Sequence, residues 1–123
     1  MLMFLPENMA RSMSNNIRRE TPKIVDTSAI IDGRILDIIR CGFIDGDILI
    51  PQGVINELQV IADAKDSVKR EKGQRGLDIL NQLYDLDYPT RVIHPTQSHS
   101  DIDTLLIKLA QQYHAHVITT DFN

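Results

Sequence analysis

The feature that most constrains this chain is an alternation that begins at Lys23: short apolar runs separated by longer stretches of helical period. Strand-length runs interleaved with helix-length stretches are the pattern of strand–helix units built around a parallel sheet. KIVD (23–26), DILI (47–50), RVIH (91–94) and HVITT (116–120) are the four strand candidates. Between the first two, GRILDIIRCG puts Ile35, Ile38 and Ile39 on one helical face and ends at Gly42, a residue suited to the position just past a helix end. After the second strand Pro51 stands where a first helical turn tolerates proline, since the amide there has no partner. Val54, Ile55, Leu58, Ile61 and Ala62 then form a continuous apolar stripe. A long helix is expected from Ser67 to Tyr84, burying Leu77, Ile79, Leu80 and Leu83, with Gly73 and Gly76 weakening its first half. Ser100 opens a last helix with Ile102, Leu105, Leu106 and Leu109 inward.

At 123 residues the chain has the length of about one domain, which buries roughly two-thirds of its unfolded surface. A hydrophobic share of 42% and a charged share of 24% exclude disordered and fibrous classes. Cys41 is the sole cysteine, so an intrachain disulfide and a multi-cysteine zinc site are both excluded; beside an apolar helix it reads as a small buried hydrophobe. The net charge of −4 means that contact with nucleic acid has to come from a local basic patch. The apolar start MLMFL is too short for a signal-peptide core or a membrane span. Residues 1–22 read as a flexible leader or linker, and the folded domain as 23–123.

Open parallel sheets bind ligands at the carboxyl ends of their strands. Asp26 ends the first strand candidate and Asp121 follows the last. Glu57 lies in the first two turns of the helix leaving the second strand, and Asp103 in the first turn of the helix before the last strand. All four can converge on one edge. Gathered carboxylates repel by about 4 kcal/mol at 4 Å and an effective dielectric near 20. A hard cation removes that cost, and an all-oxygen set points to Mg²⁺ or Mn²⁺. Such an ion acidifies a bound water and neutralises charge on a phosphoryl oxygen, which is the chemistry of phosphodiester hydrolysis. Singly, each acid has a plainer role. Asp26 can be a turn former or helix cap, Glu57 a solvated helix residue, and Asp32 and Asp101 caps or surface groups. Asp103 fits the far end of a capping box opened by Ser100.

Thr27 and Ser28 can hold a carboxylate or phosphate oxygen through hydroxyl or backbone donors, or simply form the turn. Asn123 offers a further oxygen two residues past Asp121. Between Lys65 and Arg75 stand Lys65, Lys69, Arg70, Lys72 and Arg75 against Asp66 and Glu71, a local excess of positive charge able to track phosphates or to act as a solvated helix face. The four histidines have no metal-binding spacing on one helix face.

The segments VDTSAIIDGR (25–34), IPQGVINELQ (50–59), RGLDILNQL (75–83), IDTLLIKLA (102–110) and VITTDFN (117–123) together resemble the PIN (PilT N-terminus-like) domain of bacterial PIN/TRAM proteins. The resemblance covers Lys23 to Asn123. It implies a three-layer α/β/α sandwich with a central parallel sheet, and a Mg²⁺- or Mn²⁺-dependent ribonuclease with single-stranded RNA as substrate. Carried over by position, the family's four acids fall on Asp26, Glu57, Asp103 and Asp121, its threonine before the last acid on Thr119, and an acidic or amide position on Asn123. The resemblance therefore selects Asp103 as a ligand over its role as a cap. PIN domains usually continue past this motif through another helix and strand, and PIN/TRAM proteins add a small RNA-binding barrel and often carry membrane helices upstream. The expectation is a domain lacking its last elements, with an uncovered apolar edge favouring a homodimer or low stability. A cytoplasmic location is expected, at the membrane face if helices precede the domain.

Two further function classes fit the sequence. One is an RNA-binding or interaction module that retains the acids without useful catalysis. The other is a receiver-like phospho-acceptor domain, disfavoured because the chain lacks an adjacent acidic pair before its first helix and a lysine after its last strand.

Overall fold

The computed structural model describes residues 20–95 and 101–121. Within them a four-stranded, wholly parallel sheet is flanked by helices in an α/β/α sandwich. The strands are β1 (Lys23–Val25), β2 (Ile48–Pro51), β3 (Thr90–Ile93) and β4 (His116–Ile118). The helices are α1 (Thr27–Asp32), α2 (Ile35–Arg40), α3 (Gln52–Ala62), α4 (Ser67–Asp85) and α5 (Ile102–Tyr113). All four expected strands are present.

The sheet order is β3-β2-β1-β4. Ile24 and Val25 of β1 and Ile48, Leu49 and Ile50 of β2 are fully enclosed, as strands of a parallel sheet covered on both faces must be. The chain steps outward from β1 to β2 and β3, then returns to place β4 on the other side of β1. The β1/β4 boundary is therefore the switch point of the sheet, where an open α/β fold leaves a crevice at the carboxyl ends. A receiver-like sheet has its second strand outside the first and its third inside; here β2 lies between β1 and β3.

Helix α1 was not expected, because Thr27 and Ser28 read as turn residues. Asp26 caps it, and Gly33 ends it in the left-handed conformation at φ 83°. Only six residues long, it buries Thr27, Ala29 and Ile30. In α2 the inward residues are Ile35, Leu36 and Ile39, while Ile38 is 40% exposed, a correction to the expected stripe. Cys41 is also corrected: it is exposed, because it stands at the carboxyl cap of α2, beyond the last buried position. Pro51 ends β2 and caps α3 from outside instead of entering its first turn. Gly73 and Gly76 do not interrupt α4, which runs unbroken for 19 residues. A β-carbon on Gly73 would lie 2.2 Å from the Ala62 nitrogen, and one on Gly76 would lie 2.4 Å from Leu58 Cδ2. The two glycines are thus what lets α3 and α4 pack backbone to backbone.

Those contacts pair residue 73 with 62 and 76 with 58, so α3 and α4 are antiparallel. Because β3 is parallel to β2, the chain must retrace one strand length, about 13 Å, between Pro51 and Thr90. At 1.5 Å per residue α3 is about 16 Å long and α4 about 28 Å. The path closes only if α3 projects outward from the carboxyl edge and α4 returns past it, since the difference in their lengths matches the strand. Gly53 at the base of α3 accordingly faces Leu105 and Ile102, whereas Glu57 and Val60, further out, border Asp101, which precedes α5. The basic run from Lys65 to Lys72 therefore stands at the outer end of a helical hairpin on the same side of the sheet as Asp26 and Asp121.

Candidate active site

Asp26 leaves β1 at the switch point with its backbone amide bonded to the Ile118 carbonyl at 2.9 Å, which fixes it beside the end of β4. Its side chain is held by both neighbours. Oδ1 accepts the Thr27 amide at 2.7 Å, and Oδ2 accepts the Thr119 hydroxyl at 2.8 Å. Ser28 Oγ lies 3.3 Å from the same Oδ2 and 3.1 Å from Thr119 Oγ1. Since the Thr119 proton goes to Asp26, the Ser28 proton is left to choose between these two acceptors. The hydroxyls themselves accept amides: Thr120 N–H donates to Ser28 Oγ at 3.1 Å and Asp121 N–H to Thr119 Oγ1 at 3.0 Å. The residues after β1 and those after β4 are thereby knitted together. A carboxylate has about four acceptor positions, so Asp26 keeps capacity for another partner on Oδ1, and on Oδ2 when the Ser28 proton goes to Thr119.

A cleft of about 240 Å³ opens at this point, lined by Asp26, Asp103 and Asp121 with Thr119, over an apolar wall of Leu106, Ile107 and Val117. Three of the four expected acids thus meet in one cavity. Asp103 is available to it because the cap of α5 is Asp101, whose carboxylate accepts the Thr104 amide at 2.7 Å. The expected capping box opened by Ser100 is replaced by this arrangement; Ser100 itself lies outside the described residues. Glu57 borders a separate depression of about 290 Å³ with Asn56, Val60, Asp101 and Ile102. The first turn of α5 divides the two. Among the described residues no three acidic, histidine or cysteine side chains are close enough to cage an ion by themselves. The donor chemistry nevertheless suits a hard cation: oxygen ligands only, in a cleft roomy enough for the waters that Mg²⁺ retains.

The remaining sequence candidates fall in three places. Thr27 is only 6% exposed and its hydroxyl has no partner, so what it brings to the site is its amide; Ser28 and Thr119 are the hydroxyls at the surface of the network. Arg70 is turned back onto the hairpin, donating to the Ala64 and Lys65 carbonyls at 3.3 and 3.2 Å, while Lys69 is exposed. Arg75 donates to the Asp32 carbonyl at 3.0 Å, where the positive guanidinium complements the carboxyl end of α1. Asn123 lies outside the described residues. One charged residue near the site escaped the sequence reading: Arg34, whose Nε donates to Asp32 Oδ2 at 2.8 Å. This bond holds the Asp32 carboxyl below the ordinary aspartate range and raises the Arg34 guanidinium. The dipeptide Gly33-Arg34 after a capped short helix was the available signal.

No protein-family model matches the chain. It is 48% identical over 103 residues to an uncharacterized PIN and TRAM-domain containing protein of Bacillus subtilis, a match covering 82% of this chain and 28% of that protein. It is 45% identical over 105 residues to an uncharacterized PIN and TRAM-domain containing protein of Synechocystis, covering 83% and 29%. The chain thus spans less than a third of the length of these curated relatives. A solved domain of a functionally unknown protein from Methanocaldococcus jannaschii superimposes with a TM-score of 0.67 at 28% identity, over 83% of this chain and 79% of that one. With the parallel sheet and the carboxylates at its switch point, these matches establish that the chain belongs to the PIN-domain family, a nuclease-type family whose members generally use divalent metals.

Proposed function

We propose that this domain is a Mg²⁺- or Mn²⁺-dependent endoribonuclease that hydrolyses phosphodiester bonds of single-stranded RNA. The observation that carries the reading is the meeting of Asp26, Asp103 and Asp121, from the ends of three different elements, in one cleft at the switch point. These three are the metal-holding residues. A divalent ion bound there supplies an acidified water as nucleophile and positive charge for the phosphoryl oxygens. Asp26 is fixed for this task by the Thr27 amide and the Thr119 hydroxyl, so that its orientation is set before any ligand arrives. Glu57, across the first turn of α5, orients water or completes the ligand set through it. Ser28 and Thr119 border the substrate phosphate, and Asn123 contributes an amide oxygen beyond Asp121. Lys69, with Arg70 and Arg75 behind it, gives the hairpin a positive face for the RNA backbone.

The test is cleavage of a labelled single-stranded oligoribonucleotide with and without Mn²⁺. Asp26→Asn, which keeps the cap of α1, and Asp121→Ala should each abolish metal-dependent cleavage with the circular dichroism and melting profile retained. Unchanged cleavage in both variants rejects the assignment. The separation of Glu57 from the other three acids favours one other reading, a module that binds RNA without cutting it. RNA binding with no Mn²⁺-dependent product selects that reading. A homodimer through the β4 edge is part of the proposal, since β4 is an end strand of the sheet and its Val117 is 36% exposed; sedimentation across a concentration series tests it. Among the described residues no helix is long and apolar enough to cross a membrane, and the proposed site of action is the cytoplasm.

A further inference from the structure

Among the described residues, Arg34 is the one guanidinium that lies beside the acid network without being tucked onto a carbonyl. Its side chain is 76% exposed, and it is held at one end: Asp32 Oδ2 accepts both its Nε, at 2.8 Å, and its backbone amide, at 3.2 Å. Asp32 is itself fixed. It ends α1, the left-handed turn at Gly33 follows it, and Arg75 donates to its carbonyl. An arginine gripped through Nε presents its two terminal nitrogens outward, and among the described residues these have no other partner. That fork suits a phosphate. Two guanidinium groups flank the single carboxylate of Asp32, Arg34 bonded to its Oδ2 and Arg75 to the backbone carbonyl, so two positive charges stand beside one negative although the domain is acidic.

The position of this fork relative to the carboxylates is set by shared walls. Arg34 lines a cavity of about 150 Å³ with Ala29, Ile35, Ile118 and Thr120. The Thr120 amide donates to Ser28 Oγ, and Ser28 in turn contacts Thr119 and Asp26, both of the carboxylate site. The sheet edge at Ser28 and Thr120 is therefore the ridge between the acid cleft, on the Val117 face of β4, and the Arg34 cavity, on its Ile118 face. A polyanion whose reacting phosphate sat among Asp26, Asp103 and Asp121, and whose chain ran over that edge, would pass Arg34.

We infer that Arg34 is a substrate-contact residue that grips a backbone phosphate neighbouring the scissile one, making a chain of several nucleotides the preferred substrate. The inference rests on the nuclease reading above. Arg34 acts in binding and not on the reacting atoms, so its loss should weaken capture and spare turnover.

The experiment compares the wild-type chain with Arg34→Ala, Arg34→Lys and Asp26→Asn on a fluorescent single-stranded oligoribonucleotide, measuring KM, kcat and, by anisotropy, Kd across a salt series. Arg34→Ala should raise KM and Kd roughly threefold to tenfold with kcat within about twofold, and should lower the slope of log Kd against log salt by about 0.7. Arg34→Lys, which keeps charge but loses the fork, should fall between. Asp26→Asn should lose kcat and keep Kd. If the wild type cleaves and Arg34→Ala matches it in Kd and salt slope, the inference is overturned while the nuclease assignment stands; a loss confined to kcat also overturns it. A wild-type chain that neither binds nor cleaves RNA overturns both.

Discussion

Replacing Gly73 by alanine tests the claim that the α3–α4 hairpin depends on backbone contact. In an exposed helix interior this substitution stabilises by about 1 kcal/mol, because glycine is the poorer helix former. Here the added β-carbon would stand 2.2 Å from the Ala62 nitrogen and 2.6 Å from both Ala62 Cα and the Ile61 carbonyl carbon. All three are backbone atoms, so no side-chain rotation relieves them. Restoring a van der Waals separation near 3.5 Å moves the helices apart by roughly 1 Å and loosens the Leu58–Gly76 contact as well. Overpacking of this kind costs about 3 kcal/mol at the upper end of its usual range, and occasionally more. Net destabilisation of about 2 kcal/mol is expected, lowering Tm by about 10 °C in a domain of this size. Urea and thermal unfolding measure it, with Gln74→Ala, an exposed neighbour, expected to stay within about 0.5 kcal/mol. An alanine variant as stable as the wild type, or more so, refutes the packing argument and with it the outward projection of α3.

Three other outcomes follow from the same geometry. Thr119→Val removes the hydroxyl that donates to Asp26 and accepts from the Asp121 amide; cleavage should fall about tenfold to a hundredfold with little change in RNA affinity, as measured by kcat and anisotropy. Tyr88→Phe removes a hydroxyl lying 2.7 Å from the Gly46 carbonyl and 3.2 Å from that of Ile44, and should cost about 1 kcal/mol in urea unfolding with cleavage unaffected. The Asp32 carboxyl, monitored by carbon NMR, should titrate below an ordinary aspartate and move upward in Arg34→Ala. Because the folded-state value is depressed, any stability it confers is present above the unfolded aspartate range and lost as the pH falls through the folded midpoint.

The strands were legible because each is a short apolar run bounded by breakers, and a parallel sheet covered on both faces demands that composition. Helix α1 was not, since six residues with three inward positions carry almost no periodic signal, and Asp26-Thr27-Ser28 fits a turn equally well. The role of Gly73 and Gly76 was misread for a different reason. Helix propensity measures what glycine costs an isolated helix, whereas here the partner backbone decides. Asp103 carried two readings in sequence, ligand and cap; the structure gives the cap to its neighbour Asp101 and places Asp103 in the lining of the cleft. The position of Glu57 depended on the direction of α3. No local pattern encodes that direction; it follows from the length of α4 and the parallel pairing of β3 with β2.

If the domain is the proposed nuclease, its charge distribution accounts for how an acidic chain would take hold of a polyanion. With a net charge of −4 the long-range field repels RNA, and the carboxylate cleft repels it most. At physiological ionic strength, however, exposed charges are screened beyond about 8 Å, so what an approaching phosphate senses is local. The fold sets positive groups on two sides of the carboxylates: Arg34 across the Ser28–Thr120 ridge, and Lys69 on a hairpin that rises about 16 Å from the same edge. On the proposed nuclease reading, a phosphate held by Arg34 would bring its neighbour over the acids, Lys69 would hold the chain further out, and a divalent ion would offset the repulsion of the carboxylates. The contact of Gly73 with Ala62 fixes α3, which carries Glu57, against the helix that carries Lys69, so on that reading a loosened hairpin would displace both, while Arg34 and the three acids of the cleft would keep their places.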